Sequence, residues 1–292
     1  MDRQNAAQIL RTALTDVLPA GDPSMQVVQK DIIRLNVGEQ SYLVKWISAG
    51  DATGQNELRI GRLFLKQALL PVPRLMFEKP VEGGVIAGWE WAEGRDLRLY
   101  DRERLPEVFA WLGQLHRAMR NQGAVVAPLS SRQYPSAGEL VEAEARRLSA
   151  LIDPPMRTAA IDLLLRLEAG YATLIHGDMH PGNVIVSDDR VWFVDWGYAC
   201  NSLNLFDLDY IHSVPLPESQ HFWAIIHPDE AGPVLAAYFD AAGLPCIDAL
   251  PVHRAVMAWN MLRSLENSLE NGYASEANRA RRQIAYLLNK GG

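Results

Sequence analysis

"LIHGDMHPGNVIVSDDRVWFVDWGYAC", residues Leu174–Cys200, sets His176, Asp178, His180, Asn183 and Asp195 among short hydrophobic runs. "TLIH", "NVIV" and "VWFVD" are β-prone and read as strands, with "SDDR" as a polar turn. A hairpin through that turn brings Asn183 and Asp195 to the same end of neighbouring strands. Three oxygen-bearing side chains, Asp178, Asn183 and Asp195, thus come from two adjacent turns. These are the strand-like pieces of a chain half that is otherwise helical, so the stretch points to an α+β fold.

Upstream the periodicity divides the chain. "AAQILRTALTDVL" has helical spacing and stops at Pro19, Gly21 and Pro23. "MQVVQ", "IIRLNV" and "SYLVKW" read as three antiparallel strands, "GQNELRIGRLFLKQALL" as a helix starting near Thr53 or Asn56, and "RLMFEK" and "GVIAGWEW" as two more strands. Glu93, Gly94 and Arg95 mark a crossing point, after which "RERLPEVFAWLGQLHRAMR", Ala137 to Ala150 and Met156 to Ala169 are helical. The expected organisation is a small antiparallel-sheet lobe over residues 1–93 and a mainly helical lobe over 94–292. "APLSSRQYPSAG" and "HSVPLPES" are the most loop-like segments.

Composition narrows the partners. The 292 residues suffice for two lobes, and 48% hydrophobic with 22% charged residues excludes wholesale disorder. A net charge of -7 argues against a general nucleic-acid binder and suits a cationic or neutral small partner. Cys200 and Cys246 are far apart, without a CxxC pair, which points away from a disulfide framework or thiolate zinc site and towards a reducing cytoplasm. The N-terminal stretch lacks the continuous apolar core of a secretory signal, and no run approaches membrane-spanning length, so neither export nor membrane anchoring is expected.

Two chemistries compete for the opening stretch. His176, Asp178 and His180 alternate and would face one side of an extended strand, with donors suited to zinc or iron. Pro181 and Gly182 break such a strand, and His116, His212, His221, His227 and His253 form no H-E-x-x-H pair, so the metal cage is the weaker reading. Phosphoryl transfer needs a carboxylate to orient an attacking hydroxyl, and an amide oxygen with a second carboxylate to hold magnesium against nucleotide phosphates. Asp178 and Asn183 lie five apart, as in the protein-kinase loop H-R-D-x-x-x-x-N, and Asp195 precedes "WG" as in D-F-G. Lys45 closes "SYLVK" as the V-A-I-K lysine does, with Glu57 on the following helix within reach.

Taken singly, each residue has a plain structural reading. Asp178 and Asn183 cap turns, Asp195 ends a strand, Lys45 is a solvated strand-end charge, Glu57 lies on a helix surface, and Trp89 and Trp91 are core residues. The combination of five carries the phosphotransfer reading.

"HGDMHPGN" followed by "VDWGYA" resembles the signature of the aminoglycoside phosphotransferase and choline kinase family. "NELRIGRLFLKQALLPVPRLM", "GWEWAEGRDL", "LGQLHRA" and "FDLDYI" extend the resemblance across nearly the whole chain. It implies a two-lobed protein-kinase-like fold, ATP or GTP as co-substrate, Mg2+ as cofactor and a small-molecule hydroxyl acceptor. On these positions it implies Asp178 as catalytic base, Asn183 and Asp195 as magnesium ligands, Lys45 as the phosphate-binding lysine and Glu57 as its partner. Trp89, Glu90 and Trp91 would form the hinge whose backbone meets the nucleotide base, and His176, His180 and Asp207 would support the catalytic loop.

The turn between the first two strands departs from the family pattern. It offers only Lys30 and Asp31 where phosphates are usually covered by several backbone N–H groups, so Lys30 would supply charge and nucleotide affinity would be modest. Spore-coat kinase-like proteins share a short turn, which makes a non-catalytic kinase-like interaction protein the alternative. Acidic residues such as Asp207, Asp209, Glu218, Glu266 and Glu270 are candidates for attracting an amine-bearing acceptor, although Glu266 and Glu270, four apart, better fit the polar face of a helix.

Overall fold

A computed structural model describes residues 24–29, 32–65, 70–97, 102–121, 123–127, 132–211, 228–245 and 249–289. Lys30, the opening helix and "HSVPLPES" lie outside the described residues, as does part of "APLSSRQYPSAG". The chain forms two compact units. One holds the described residues up to Asp96 together with Gly182–Ala199, the other Leu97–Pro181 and the chain from Cys200 onward. The hairpin that leads to Asp195 thus shares a unit with the N-terminal sheet.

The first unit is built on β1 (Ser24–Gln29), β2 (Ile32–Val37), β3 (Gln40–Ser48), β4 (Leu75–Val81) and β5 (Gly84–Glu90), all antiparallel in the order β1-β2-β3-β5-β4. Both sheet faces are apolar. Tyr42 and Val44 join Leu35, Val37 and Ile86 in one buried cluster, while Ile47 joins Ala87, Trp89, Leu75 and Leu58 in another. The period of two that sends Tyr42 and Val44 one way sends Leu43, Lys45 and Ile47 the other, which places Lys45 beside the second cluster.

Helix α1 (Ala52–Phe64) supplies Leu58 to that cluster. It starts at Ala52, ahead of Thr53 and Asn56, because the Asp51 side chain accepts the Gly54 N–H at 3.0 Å and caps the first turn. Its buried positions Gly54, Glu57, Leu58, Gly61 and Phe64 recur at helical spacing, so Glu57 lies on the inward face with the apolar residues.

Strands Val184–Val186 and Val191–Phe193 form the expected hairpin, with Val184 opposite Phe193 and Val186 opposite Val191. Its other edge pairs with Arg95–Asp96, and the Phe193 N–H donates to Pro71 O at 2.8 Å. Gly94 makes the junction possible: at φ 137° it lies so close to the hairpin that a Cβ would sit 2.3 Å from Val186 O.

The second unit is mainly helical: α2 (Leu105–Ala118), α3 (Ala137–Ser149), α4 (Pro154–Leu164), α5 (Pro228–Ala242), α6 (Ala249–Glu270) and α7 (Ala274–Asn289). Strand Ala172–Ile175, which leads into His176, pairs antiparallel with Cys200–Leu203. Phe206 stacks on Trp259 of α6 with ring centroids 3.8 Å apart, part of a core that also buries Tyr238 and Leu262. Among the described residues no helix is long and apolar enough to cross a membrane.

Candidate active site

Within the first unit, Lys45, Glu57, Asn183 and Asp195 line one cavity, walled by apolar residues including Ile32, Leu43, Phe64, Val194 and Trp196. The Lys45 ammonium donates to both Glu57 oxygens, at 2.9 and 2.8 Å, and lies 3.8 Å from Asp195 Oδ1. Burial pushes the Glu57 carboxyl above 4.5, against the opposing attraction of Lys45. One cation therefore lies beside two carboxylates, of which Asp195 is the more exposed.

Asp195 has φ 65°, the one positive value among the described non-glycine residues. Left-handed backbone costs an aspartate less than a bulkier side chain, yet it persists only where the surroundings hold it. The Val194 N–H donates to Asn183 O at 3.0 Å, extending the hairpin ladder beyond Val184 and setting Asn183 beside the Asp195 turn. Asn183 is buried, while the Asp195 side chain is 54% exposed.

This donor set fits magnesium. That ion is held by one or two carboxylates completed by water and substrate phosphates, not by a closed cage of side chains. Among the described residues no group of three or more His, Cys, Asp or Glu side chains is placed to hold a metal ion. The alternating His176, Asp178 and His180 do not make such a group, since His176 is turned inward and fully buried.

Of the expected hinge, Trp89 and Glu90 line the cavity together with Ala92, a position that sequence reasoning missed. Two hinge donors are already engaged: Glu90 N–H donates to Arg74 O at 2.8 Å and Trp91 N–H to Ser41 O at 3.1 Å. The Trp91 ring is covered by the Arg34 guanidinium at 4.5 Å, and Arg34 also donates to Glu93 at 2.7 Å. Trp91 thus anchors the strand exit to β2 and β3.

In the second unit, Asp207 organises the turn that carries Asp178. Its oxygens accept the backbone N–H groups of His176 at 2.5 Å and Gly177 at 2.9 Å, and His116 Nε2 lies 3.1 Å away. Burial alone would raise the Asp207 carboxyl. The His116 bond and charge, the His176 charge and the Gly177 N–H outweigh it and hold the carboxyl below 3.8. His116 Nδ1 in turn meets the Tyr238 hydroxyl at 2.8 Å, which accepts from Asn204 Nδ2 at 2.8 Å. His176 Nδ1 accepts the Asp178 N–H at 3.3 Å, and His180 Nε2 lies 3.7 Å from Asp178 Oδ2.

His116, Asn204 and Tyr238 had no sequence signal beyond a histidine on the apolar face of a helix. The acidic acceptor candidates resolve in part: Asp207 is internal, and Glu266 is paired with Arg147, which also holds Glu144 at 2.6 Å. Glu218 and the Asp209 side chain lie outside the described residues.

The Lys45–Glu57 pair makes one expected result. Lys45→Met leaves a buried carboxylate without its cation and should cost about 2 kcal/mol at neutral pH. A carboxyl raised above its unfolded value of 4.5 contributes stability at low pH that is lost as pH rises. The thermal midpoint of Lys45→Met should therefore recover towards wild type as pH is lowered into the window above 4.5.

The geometry can be set beside known proteins. No curated protein matches the chain. The structure of aminoglycoside phosphotransferase APH(4)-Ia matches with a TM-score of 0.58 at 16% identity, over 98% of this chain and 99% of that one. Aminoglycoside 2'-phosphotransferase-IIIa, solved as a GDP complex, matches with a TM-score of 0.60 at 13% identity, over 100% of each chain. A thermostable mutant of APH(4)-Ia, solved as a ternary complex with ADP and hygromycin B, matches at 0.57 and 18% identity, over 98% and 99%. These likenesses establish the kinase-like fold. The family profile named APH, phosphotransferase enzyme family, matches residues 30–267, and the chain belongs to that family.

Proposed function

We propose that this protein transfers the γ-phosphate of ATP or GTP to a hydroxyl group of a small molecule. The observation that carries the reading is the cavity of the first unit, where a lysine held by a buried glutamate faces an exposed aspartate and a buried asparagine within apolar walls. Apolar walls suit a purine, and the ammonium suits its phosphates. Residues 1–93 would then form the nucleotide lobe, and 94–292 carry the catalytic loop and acceptor site. Structures matching this fold hold ADP with hygromycin B and GDP with kanamycin, which supports both purines and a polyhydroxylated acceptor. The net charge of -7 favours a cationic one. A cytoplasmic location follows from the nucleotide requirement.

In this mechanism Asp178 orients the acceptor hydroxyl and takes its proton as the new O–P bond forms and the bond from the γ-phosphorus to its bridging oxygen breaks, releasing the nucleoside diphosphate. Asn183 and Asp195 hold magnesium, which when bound supplies charge neutralisation on the phosphates. Lys45, positioned by Glu57, binds the phosphates, with Lys30 adding charge. Trp89, Glu90 and Trp91 shape the base site, and His176, His180 and Asp207 steady the loop around Asp178.

The test is thermal denaturation with ATP and GTP, with and without magnesium, on wild type and Asp195→Ala. A ligand confined to the folded state adds about 2.7 kcal/mol at about 100 times its Kd. A magnesium-dependent shift in wild type that vanishes in Asp195→Ala is the expected result. No shift with either nucleotide would reject the reading in favour of a non-catalytic interaction protein.

A further inference from the structure

Asn56 stands beside Glu57 on α1 but engages a different neighbour. Its side-chain amide donates to Gly197 O and to Ala199 O, both at 2.9 Å. Its Oδ1 accepts from Arg59 Nε at 3.1 Å and Nη2 at 2.7 Å. Arginine can only donate, so this fork settles which end of the amide faces the carbonyls.

Two more contacts fasten the same helix to the same segment. A Cβ on Gly197 would sit 2.2 Å from Thr53 Cγ2, so the backbone there lies directly against α1. Trp196 meets Phe64 edge to face at 4.8 Å, and its indole N–H donates to Phe193 O at 2.9 Å. The residues after Asp195 are thus joined to the first turn, the middle and the last turn of α1.

We propose that Asn56 is a positioning residue that locks α1 and the segment following Asp195 into one piece, so that the Lys45–Glu57 pair and the metal-binding carboxylate keep a single mutual geometry. This rests on the reading of Asp195 as a magnesium ligand. The brace also accounts for the left-handed backbone at Asp195: the chain is held two and four residues beyond it by one amide, and by the Asn183–Val194 ladder bond before it. In this arrangement α1 does not move independently of Asp195, and the cation site is preformed before nucleotide arrives.

The experiment uses Asn56→Asp, which keeps the shape and the acceptor for Arg59 but turns an oxygen towards the two carbonyls. Magnesium is titrated at fixed ATP, read both as turnover and as the magnesium-dependent part of the ATP-induced thermal shift. The half-saturating magnesium concentration should rise about tenfold, as expected for the loss of two hydrogen bonds, with a smaller change in KM for ATP at saturating magnesium. Gly197→Ala, which wedges a methyl against Thr53, should move the magnesium dependence the same way. Thr53→Ser, which removes the opposing methyl, should restore it in the double variant. The Gly197→Ala and Thr53→Ser set decides the matter alone should Asn56→Asp not fold.

Unmoved magnesium dependence in the folded variants, with a magnesium-dependent wild type, overturns the brace and leaves the functional reading standing. So does a Gly197→Ala defect that Thr53→Ser fails to relieve. A wild type without any magnesium-dependent shift overturns the ligand role of Asp195, and the brace with it.

Discussion

Asp178→Asn is expected to lower kcat by roughly 10²–10⁴-fold while nucleotide binding stays near wild type. The carboxylate is the only group on this side chain able to take the acceptor proton, and asparagine keeps its size while removing that capacity. The backbone at Asp178 is tied to His176 Nδ1 at 3.3 Å, a bond that the substitution leaves in place. Asp178 is not among the residues that line the cavity of Lys45, Glu57, Asn183 and Asp195, so the magnesium-dependent thermal shift should survive. Turnover assays beside that thermal shift separate the two effects. Turnover within a few-fold of wild type would remove Asp178 from the chemistry, whereas a lost thermal shift would mean that the change reaches the nucleotide cavity.

Asp207→Ala is expected to be the most destabilising single change proposed, at about 3–5 kcal/mol, because it removes a fully buried carboxylate together with the hydrogen bonds that it accepts. It strands the N–H groups of His176 and Gly177 and leaves His116 without its carboxylate. Urea midpoints at neutral pH measure the loss. The acid dependence gives an independent check. A carboxyl held below its unfolded value of 3.8 contributes stability that is complete above that value and disappears as pH falls through the folded one. The advantage of wild type over Asp207→Ala should therefore be full at neutral pH and shrink only below pH 3.8. A gap that stays constant into that acid range would mean that the carboxyl is not held down by its neighbours.

Local signals carried far in this chain. Strand alternation and turn residues announced β1 to β5 and the hairpin between Val184 and Phe193 within a residue or two, because side-chain period and turn chemistry are written in consecutive residues. The same locality made Asp178, Asn183 and Asp195 stand out together. The meeting of Lys45 with Glu57 was legible for a related reason: only 12 residues separate them, and a strand followed by a capped helix leaves few ways to place them.

What the tertiary structure alone decided lies at long separation. It set β5 between β3 and β4, and it placed the 182–199 hairpin in the first unit, where it forms its own sheet with Arg95–Asp96 and meets Pro71 and Gly94. It engaged the Trp91 N–H, just beyond β5, with Ser41 O of β3. It also joined Asn56 to Gly197 across 141 residues and His116 to Tyr238 across 122. A hydrogen bond to a backbone carbonyl leaves no pattern in the partner's side chain, and a buried histidine on an apolar helix face reads the same whichever hydroxyl it meets. Sequence determined the chemistry on offer, because side-chain types and local periods are its content. Which groups share one rigid geometry followed from packing, because only the folded backbone brings distant carbonyls and hydroxyls within hydrogen-bond range.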